Sequence, residues 1–254
     1  VKPTIIICLA ALTISLAGCA SSSGRSSGAD LARASEINLN LAVEQLRKGN
    51  LALAKEKLDR ALEQNPRNAA AHSTAGVLYE RLGETNKADS HYQRAIALDP
   101  KNSEYKNNYA AYLCKRGAYE RGEKLALQAA KDLLYRTREA AFFNAGTCAR
   151  SRGDLTRAGA HFRAALEVRP RFAAALLELA EIEYEQQNYL SARGFLERYM
   201  EVGRATPASL WLGVQIERAL GNTAVEQHYA NRLKTEYPYS NQARQLIESE
   251  RNPG

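Results

Sequence analysis

The chain has 254 residues, 45% apolar and 25% charged, which is the composition of a folded protein and excludes a wholly disordered one. Its 35 basic and 28 acidic side chains leave a net charge of +7, yet both signs interleave at helical spacing in stretches such as RKGNLALAKEKLDRALE. Interleaving makes solvated helix faces with local pairs, not a cationic stripe, so nucleic acid is excluded as a partner.

The first element is Lys2 followed by an apolar run from Thr4 to Ala17, closed by Gly18-Cys19-Ala20. About fourteen apolar residues are too few to span a bilayer. They suit the hydrophobic region of a signal peptide behind a basic start. Leu16-Ala17-Gly18-Cys19 is similar to the lipobox of bacterial lipoproteins, whose cysteine receives diacylglycerol and becomes the new N-terminus. Residues 1–18 are therefore expected to be a lipoprotein signal peptide, and Cys19 the lipidation site. Neither Ala20 nor Ser21 is the aspartate that favours inner-membrane retention in such signals, so the expected location is the outer membrane, lipid-anchored and facing the periplasm. Residues 19–34, rich in serine and glycine, are expected to form a flexible tether. Its reach of roughly 20 Å would leave the orientation of the folded part free.

Beyond the tether, Ala, Leu, Glu, Lys and Arg dominate while Val, Thr and Phe are sparse, which predicts an all-α protein. Pro66, Pro100, Pro170 and Pro238 are separated by about one, two and two multiples of a 34-residue period. That is the tetratricopeptide (TPR) repeat length, and it divides the chain near 35–68, 69–102, 103–138, 139–172, 173–206 and 207–240. The first unit carries Ala42, Gly49, Ala54, Leu58, Ala61 and Pro66. The second, AAAHSTAGVLYERLGETNKADSHYQRAIALDPKN, resembles the TPR consensus closely through Ala75-Gly76, Tyr79, Gly83, Ala88, Tyr92, Ala95 and Pro100. Small residues at Gly76 and Ala88 let two helices approach, and Tyr79 and Tyr92 fill the seam around them.

The third unit keeps Ala110, Gly117, Tyr119 and Gly122 but replaces the closing proline with two extra residues in KDLLYRTRE. The fourth repeats the pattern at Ala145-Gly146, Gly153, Ala158, Phe162, Ala165 and Pro170. Leu179-Ala180, Tyr189, Ala192 and Leu196 mark the fifth, and Trp211, Gly221 and Pro238 the sixth, the weakest match. Such hairpins cannot bury their apolar faces alone, so the expectation is a right-handed superhelical TPR solenoid of about six helix-turn-helix repeats. Residues 241–254, which include NQARQLIESE, are expected to supply a capping helix and tail.

No phosphate-binding glycine loop, nucleophile elbow or His-Glu-x-x-His motif occurs, so the chain is read as no enzyme and as needing no cofactor. His72, His91, His161 and His228 fall in four separate places along the stack, the last three in nearly the same slot of second helices, which predicts no metal site. Once the signal is removed and Cys19 lipidated, Cys114 and Cys148 remain, late in the first helices of adjacent repeats and two repeat positions apart. Two residues are about 200° of helix rotation, so one side chain faces forward and the other back, and a Cys114–Cys148 disulfide is expected. The alternative is two buried small side chains.

First helices line the concave side of a TPR stack. Their inward positions are Leu39, Val43, Leu46 and Arg47, then Ser73, Val77 and Arg81, then Asn107, Ala111 and Lys115. Phe143, Thr147 and Arg150 follow, with Leu177, Tyr184, Trp211 and Arg218 further on. They predict a partner-binding groove with apolar patches and a basic rim. Asn108 and Asn144 hold equal positions in neighbouring repeats, where an amide either grips the backbone of an extended peptide or bonds a neighbouring helix terminus. Leu39 and Val43 have the tether as an alternative cover.

The run from Asn107 to Leu166 is more specific than a generic TPR. Asn107-Asn108-Tyr109, the Leu134-Tyr135 exit turn and Asn144-Ala145-Gly146 resemble the PilF/PilW type IV pilus biogenesis lipoproteins, and the lipobox and six-repeat count agree. The resemblance implies a pilotin: a protein that binds a secretin subunit in the periplasm and promotes its outer-membrane localisation or multimerisation. It implies contact with the membrane through the lipid anchor only, and a capped solenoid is compatible with a monomer. A TPR scaffold lipoprotein of another envelope assembly machine, or an activator of a cell-wall enzyme, is the alternative.

Overall fold

The computed structural model describes residues 27–251, so the expected signal peptide of residues 1–18, the expected lipidation site Cys19 and residues 20–26 lie outside the described part. Thirteen α-helices and no strand occur among the described residues. The helices α1 (Gly28–Lys48) and α2 (Leu51–Gln64) form the first antiparallel hairpin. Next come α3 (Ala69–Arg81) with α4 (Thr85–Leu98), α5 (Ser103–Lys115) with α6 (Tyr119–Ala130), and α7 (Arg138–Ser151) with α8 (Leu155–Val168). The pairs α9 (Ala173–Glu185) with α10 (Tyr189–Val202) and α11 (Pro207–Ala219) with α12 (Thr223–Glu236) complete the stack. Each first helix also packs on the first helix of a neighbouring pair, which lays α1, α3, α5, α7, α9 and α11 side by side.

Every hairpin turns through one residue in the left-handed region. It is glycine at Gly49, Gly83, Gly117, Gly153 and Gly221, where a side chain would be strained, but the fifth hairpin uses Gln187 at φ 62°. Inside each hairpin, a small residue on the first helix meets a residue sixteen positions later on the second. The pairs are Ala42 and Leu58, Gly76 and Tyr92, Ala110 and Ala126, Gly146 and Phe162, Ala180 and Leu196, and Gly213 and Tyr229, all buried. A Cβ added to Gly76 would sit 2.7 Å from the Tyr92 ring, so the ring is accommodated only because glycine faces it.

The apolar core falls into two large clusters, one running from Ala42 to Leu113 and the other from Ala149 to Leu246. Between them lie the alanine sets Ala110, Ala126 and Ala145, and Ala129, Ala130 and Ala141, with the partly buried Leu125, Leu127, Tyr135 and Phe142 packed against them. The Cys114–Cys148 disulfide crosses this thin zone and joins α5 to α7 with Cα atoms 5.1 Å apart. It passes over Gly122 of α6, where a Cβ would come within 2.6 Å of Cys114 Sγ. At the C-terminal end α13 (Asn241–Arg251) packs on α11 and α12, burying Ala243 and Leu246 completely.

Residues 28–34, expected to belong to a flexible tether, are instead the first turns of α1. Ser27 and Asp30 form a capping box, with Ser27 Oγ accepting from the Asp30 amide at 3.2 Å and Asp30 Oδ2 accepting from the Ser27 amide at 3.1 Å, so residues 28–34 are helical. A box of this kind starts a helix in a segment with little to bury, provided the helix runs on into a packed one. Buried Ser35 anchors that continuation, donating to the Ala61 carbonyl at 2.7 Å and accepting from Asn68 Nδ2 at 2.9 Å.

The altered exit turn between α6 and α7 is held by its own hydrogen bonds. Ser103 Oγ donates to Asp132 Oδ2 at 2.8 Å, the Leu134 amide donates to Asp132 Oδ1 at 3.0 Å, and Arg138 Nε donates to the Ala130 carbonyl at 2.9 Å. The Ser103 hydroxyl foremost, and then the Leu134 amide, hold the Asp132 carboxyl below its usual pKa range. Tyr135 turns inward, its hydroxyl accepting from Asn107 Nδ2 at 3.2 Å.

Candidate partner-binding groove

The inner faces of α1, α3 and α5 form a trough of about 340 Å³. It brings together Val43, Leu46, Arg47, Val77, Arg81 and Asn108, all expected from their helix positions, and adds Thr74, Glu104 and Tyr105. The sequence signal for Tyr105 was an aromatic residue in the first turn of α5, two positions before Asn107, the first of the inward set taken for that helix. A second hollow of about 640 Å³ adjoins the first through Glu104 and Asn108 and reaches Asn107 and Tyr135.

Several expected groove residues are committed to the fold instead. Leu46 is only 5% exposed and belongs to the core while its edge lines the trough. Asn107 is 6% exposed, donating to Tyr135 and accepting from Asn144 Nδ2 at 2.8 Å. Asn144 therefore bonds an amide on the adjacent first helix, neither a free peptide grip nor a helix terminus. Asn108 donates to Ser73 Oγ at 3.4 Å, a long bond that leaves its carbonyl oxygen and second N–H available. Thr147 donates to the Phe143 carbonyl at 3.1 Å, and Phe143 packs between Phe162 and Phe172.

The rim is not uniformly basic. Arg47 is exposed, and Arg81 donates to the Leu46 carbonyl at 2.7 Å, closing the end of α1. Lys115 pairs with Glu80 at 2.7 Å. Arg150 is surrounded by Glu178, Glu181 at 2.8 Å and Glu185 at 2.7 Å, so this stretch of the rim carries a net negative charge. Helical spacing places residues on the inner face but does not tell which neighbour across the stack neutralises them. The groove is thus more basic at α1 and α3 and acidic at α7 and α9. Leu39 packs against the core while Val43 stays more than a third exposed.

The histidines are not all apart. His72 Nδ1 and His91 Nδ1 lie 2.9 Å from each other inside the second hairpin, because nineteen positions bring two antiparallel helices back to the same level. His161 Nε2 contacts the buried carboxylate of Glu123 at 2.9 Å, which Arg157 also meets at 2.7 Å. No group of three or more His, Cys, Asp or Glu side chains converges as metal ligands among the described residues. No helix of the described residues is long and apolar enough to cross a membrane.

Stacked TPR hairpins with an open inner trough define a protein-binding scaffold, not an enzyme. The tetratricopeptide-repeat family matches residues 39–103 and again 149–211. The chain is 30% identical over 234 residues to the type IV pilus assembly protein PilF of Pseudomonas aeruginosa, spanning 90% of this chain and 92% of that protein. The solved structure of Pseudomonas aeruginosa PilF superposes with a TM-score of 0.78 at 27% identity, covering 86% of this chain and 99% of that one. That of PilW, a widely conserved type IV pilus biogenesis factor, superposes with a TM-score of 0.77 at 27% identity, covering 84% and 98%. The chain belongs to the PilF/PilW family of type IV pilus assembly proteins.

Proposed function

We propose that this chain is the secretin pilotin of a type IV pilus, anchored to the outer membrane by lipid on Cys19. The end-to-end likeness to PilF, over nine-tenths of both chains, carries the reading. In it, the trough of α1, α3 and α5 takes an extended segment of a secretin subunit. Val43 and Val77 bury apolar side chains of that segment, Asn108 pairs with its backbone, and Arg47 meets an acidic group on it. The lipid supplies the address, and holding subunits at the membrane raises their local concentration for multimerisation.

The test changes the trough at Val77, a partly exposed side chain on the edge of the core. Val77→Glu places a carboxylate on the apolar floor and is expected to weaken binding of purified secretin subunits at least about tenfold, near 1.4 kcal/mol. In cells, secretin multimers recovered from the outer membrane fall in that variant and in Cys19→Ala. Unchanged multimers in a strain lacking the gene would end the pilotin reading.

A further inference from the structure

The turns that link one hairpin to the next all lie on one edge of the stack, because every first helix begins there. Adjacent turns touch along it: Tyr237 OH donates to the Ala205 carbonyl at 2.6 Å, and Ser103 reaches back to Asp132. Three observations on this edge are not used by the groove. Leu133 and Leu134 are 77% and 91% exposed at the tip of the extended turn. That turn is held by the Asp132, Arg138 and Tyr135 hydrogen bonds, so the leucines are presented to the outside by a bonded frame. Lys101 and Arg136 line the same hollow as Leu134, Lys131 precedes the turn and Arg67 lies further along the same edge; all four are exposed, and none makes an ion pair among the described residues. Of the nearby acids, Asp132 accepts from the Ser103 hydroxyl, Glu104 lines the inner trough, and Asp99 is half-buried in the same turn as Lys101.

The third observation is where the chain enters. Ser35 of α1 is level with Asn68 on this edge, so residues 28–34 project beyond it by about 10 Å at 1.5 Å per residue. Cys19 precedes Ser27 by eight positions, a length that spans at most about 30 Å. We infer that this edge docks on an anionic lipid surface, with Leu133 and Leu134 entering the headgroup layer and Arg67, Lys101, Lys131 and Arg136 meeting lipid phosphates. The inference rests on lipidation at Cys19. Anchor and leucine tip then make two points of attachment, which fix the orientation of the stack and leave the trough accessible from the side. Each cation near an anionic surface raises partitioning roughly fivefold.

The lipidated full-length chain is reconstituted into phosphatidylglycerol–phosphatidylethanolamine vesicles or into phosphatidylcholine vesicles. An environment-sensitive fluorophore is attached at Leu134→Cys, or at Leu190→Cys, a 71% exposed leucine at the opposite edge. Vesicle flotation is measured alongside quenching by spin-labelled lipid. The expected result is at least twofold quenching at position 134 on anionic vesicles, lost in high salt, on phosphatidylcholine and in a Lys101→Glu/Arg136→Glu background, with none at position 190. Chains that float while position 134 stays unquenched overturn the docking edge and leave the anchor standing. Equal quenching on phosphatidylcholine overturns the role of charge. A shift at position 134 that grows with protein concentration without vesicles assigns the leucines to a second copy, and chains that do not float overturn both anchor and edge.

Discussion

Gln187 is the one non-glycine residue among the described residues with a left-handed backbone, and its side chain makes no hydrogen bond that would offset the strain. Left-handed geometry costs an L-residue about 1–2 kcal/mol, so Gln187→Gly is expected to stabilise the fold by about 1 kcal/mol. Thermal denaturation followed by circular dichroism would show a Tm gain of roughly 2–4 °C. The His72–His91 contact supports a second prediction. His72 Nε2 lies 3.1 Å from the Pro66 carbonyl, which only accepts, so that nitrogen carries the hydrogen and His72 Nδ1 accepts from His91 Nδ1. Protonating both rings would set two N–H groups against each other. Burial lowers both pKa values below 6.5, helped by Arg94 at His72 and by His72 and Lys87 at His91, while Asp59 and the Pro66 carbonyl oppose it. The unfolded state therefore binds protons first, and stability is lost as pH falls below about 6.5. Urea unfolding at pH 7.5 and 5.5 should show a smaller drop in a His72→Asn/His91→Asn variant than in the parent.

At the scale of elements, the hairpins were legible because their chemistry is local. Gly76 with Tyr92 and Gly146 with Phe162 state in sequence that two helices approach closely, and the left-handed glycines state where they turn. The disulfide was legible for the same reason, since two positions of rotation decide which way each cysteine faces. Less legible was the start of α1, where serine-rich composition hid the Ser27–Asp30 box. The groove was read only in part: the inward positions are a matter of helical period, but Asn107, Arg150 and Lys115 are claimed by Tyr135, three glutamates and Glu80 across the stack. Such partners come from neighbouring helices, which a single repeat does not record. In the third hairpin Ala110 faces Ala126, small against small, and beside that close contact the disulfide joins α5 to α7 across a separation of 34 residues. Replacing both cysteines with serine is expected to remove about 3–4 kcal/mol. Calorimetry with and without reductant tests it; equal transitions would show that the alanine seam holds the stack alone.

For the molecule as a whole, the end-to-end arrangement of the PilF/PilW family is built from nearest-neighbour contacts, with α13 closing the last hairpin. Burial is balanced within each hairpin: where the first helix offers glycine, the second offers an aromatic ring, and where it offers alanine, a smaller side chain follows. Bulk at each helix crossing is thus settled within the hairpin. A hairpin is in this sense a cassette that keeps its own volume account at the crossing, although Tyr92 of residues 69–102 also packs on Tyr109 and Tyr112 of the next. The hairpin of α5 and α6 has no such independence, because half of its covalent bond belongs to the next one, and the two can only be inherited together.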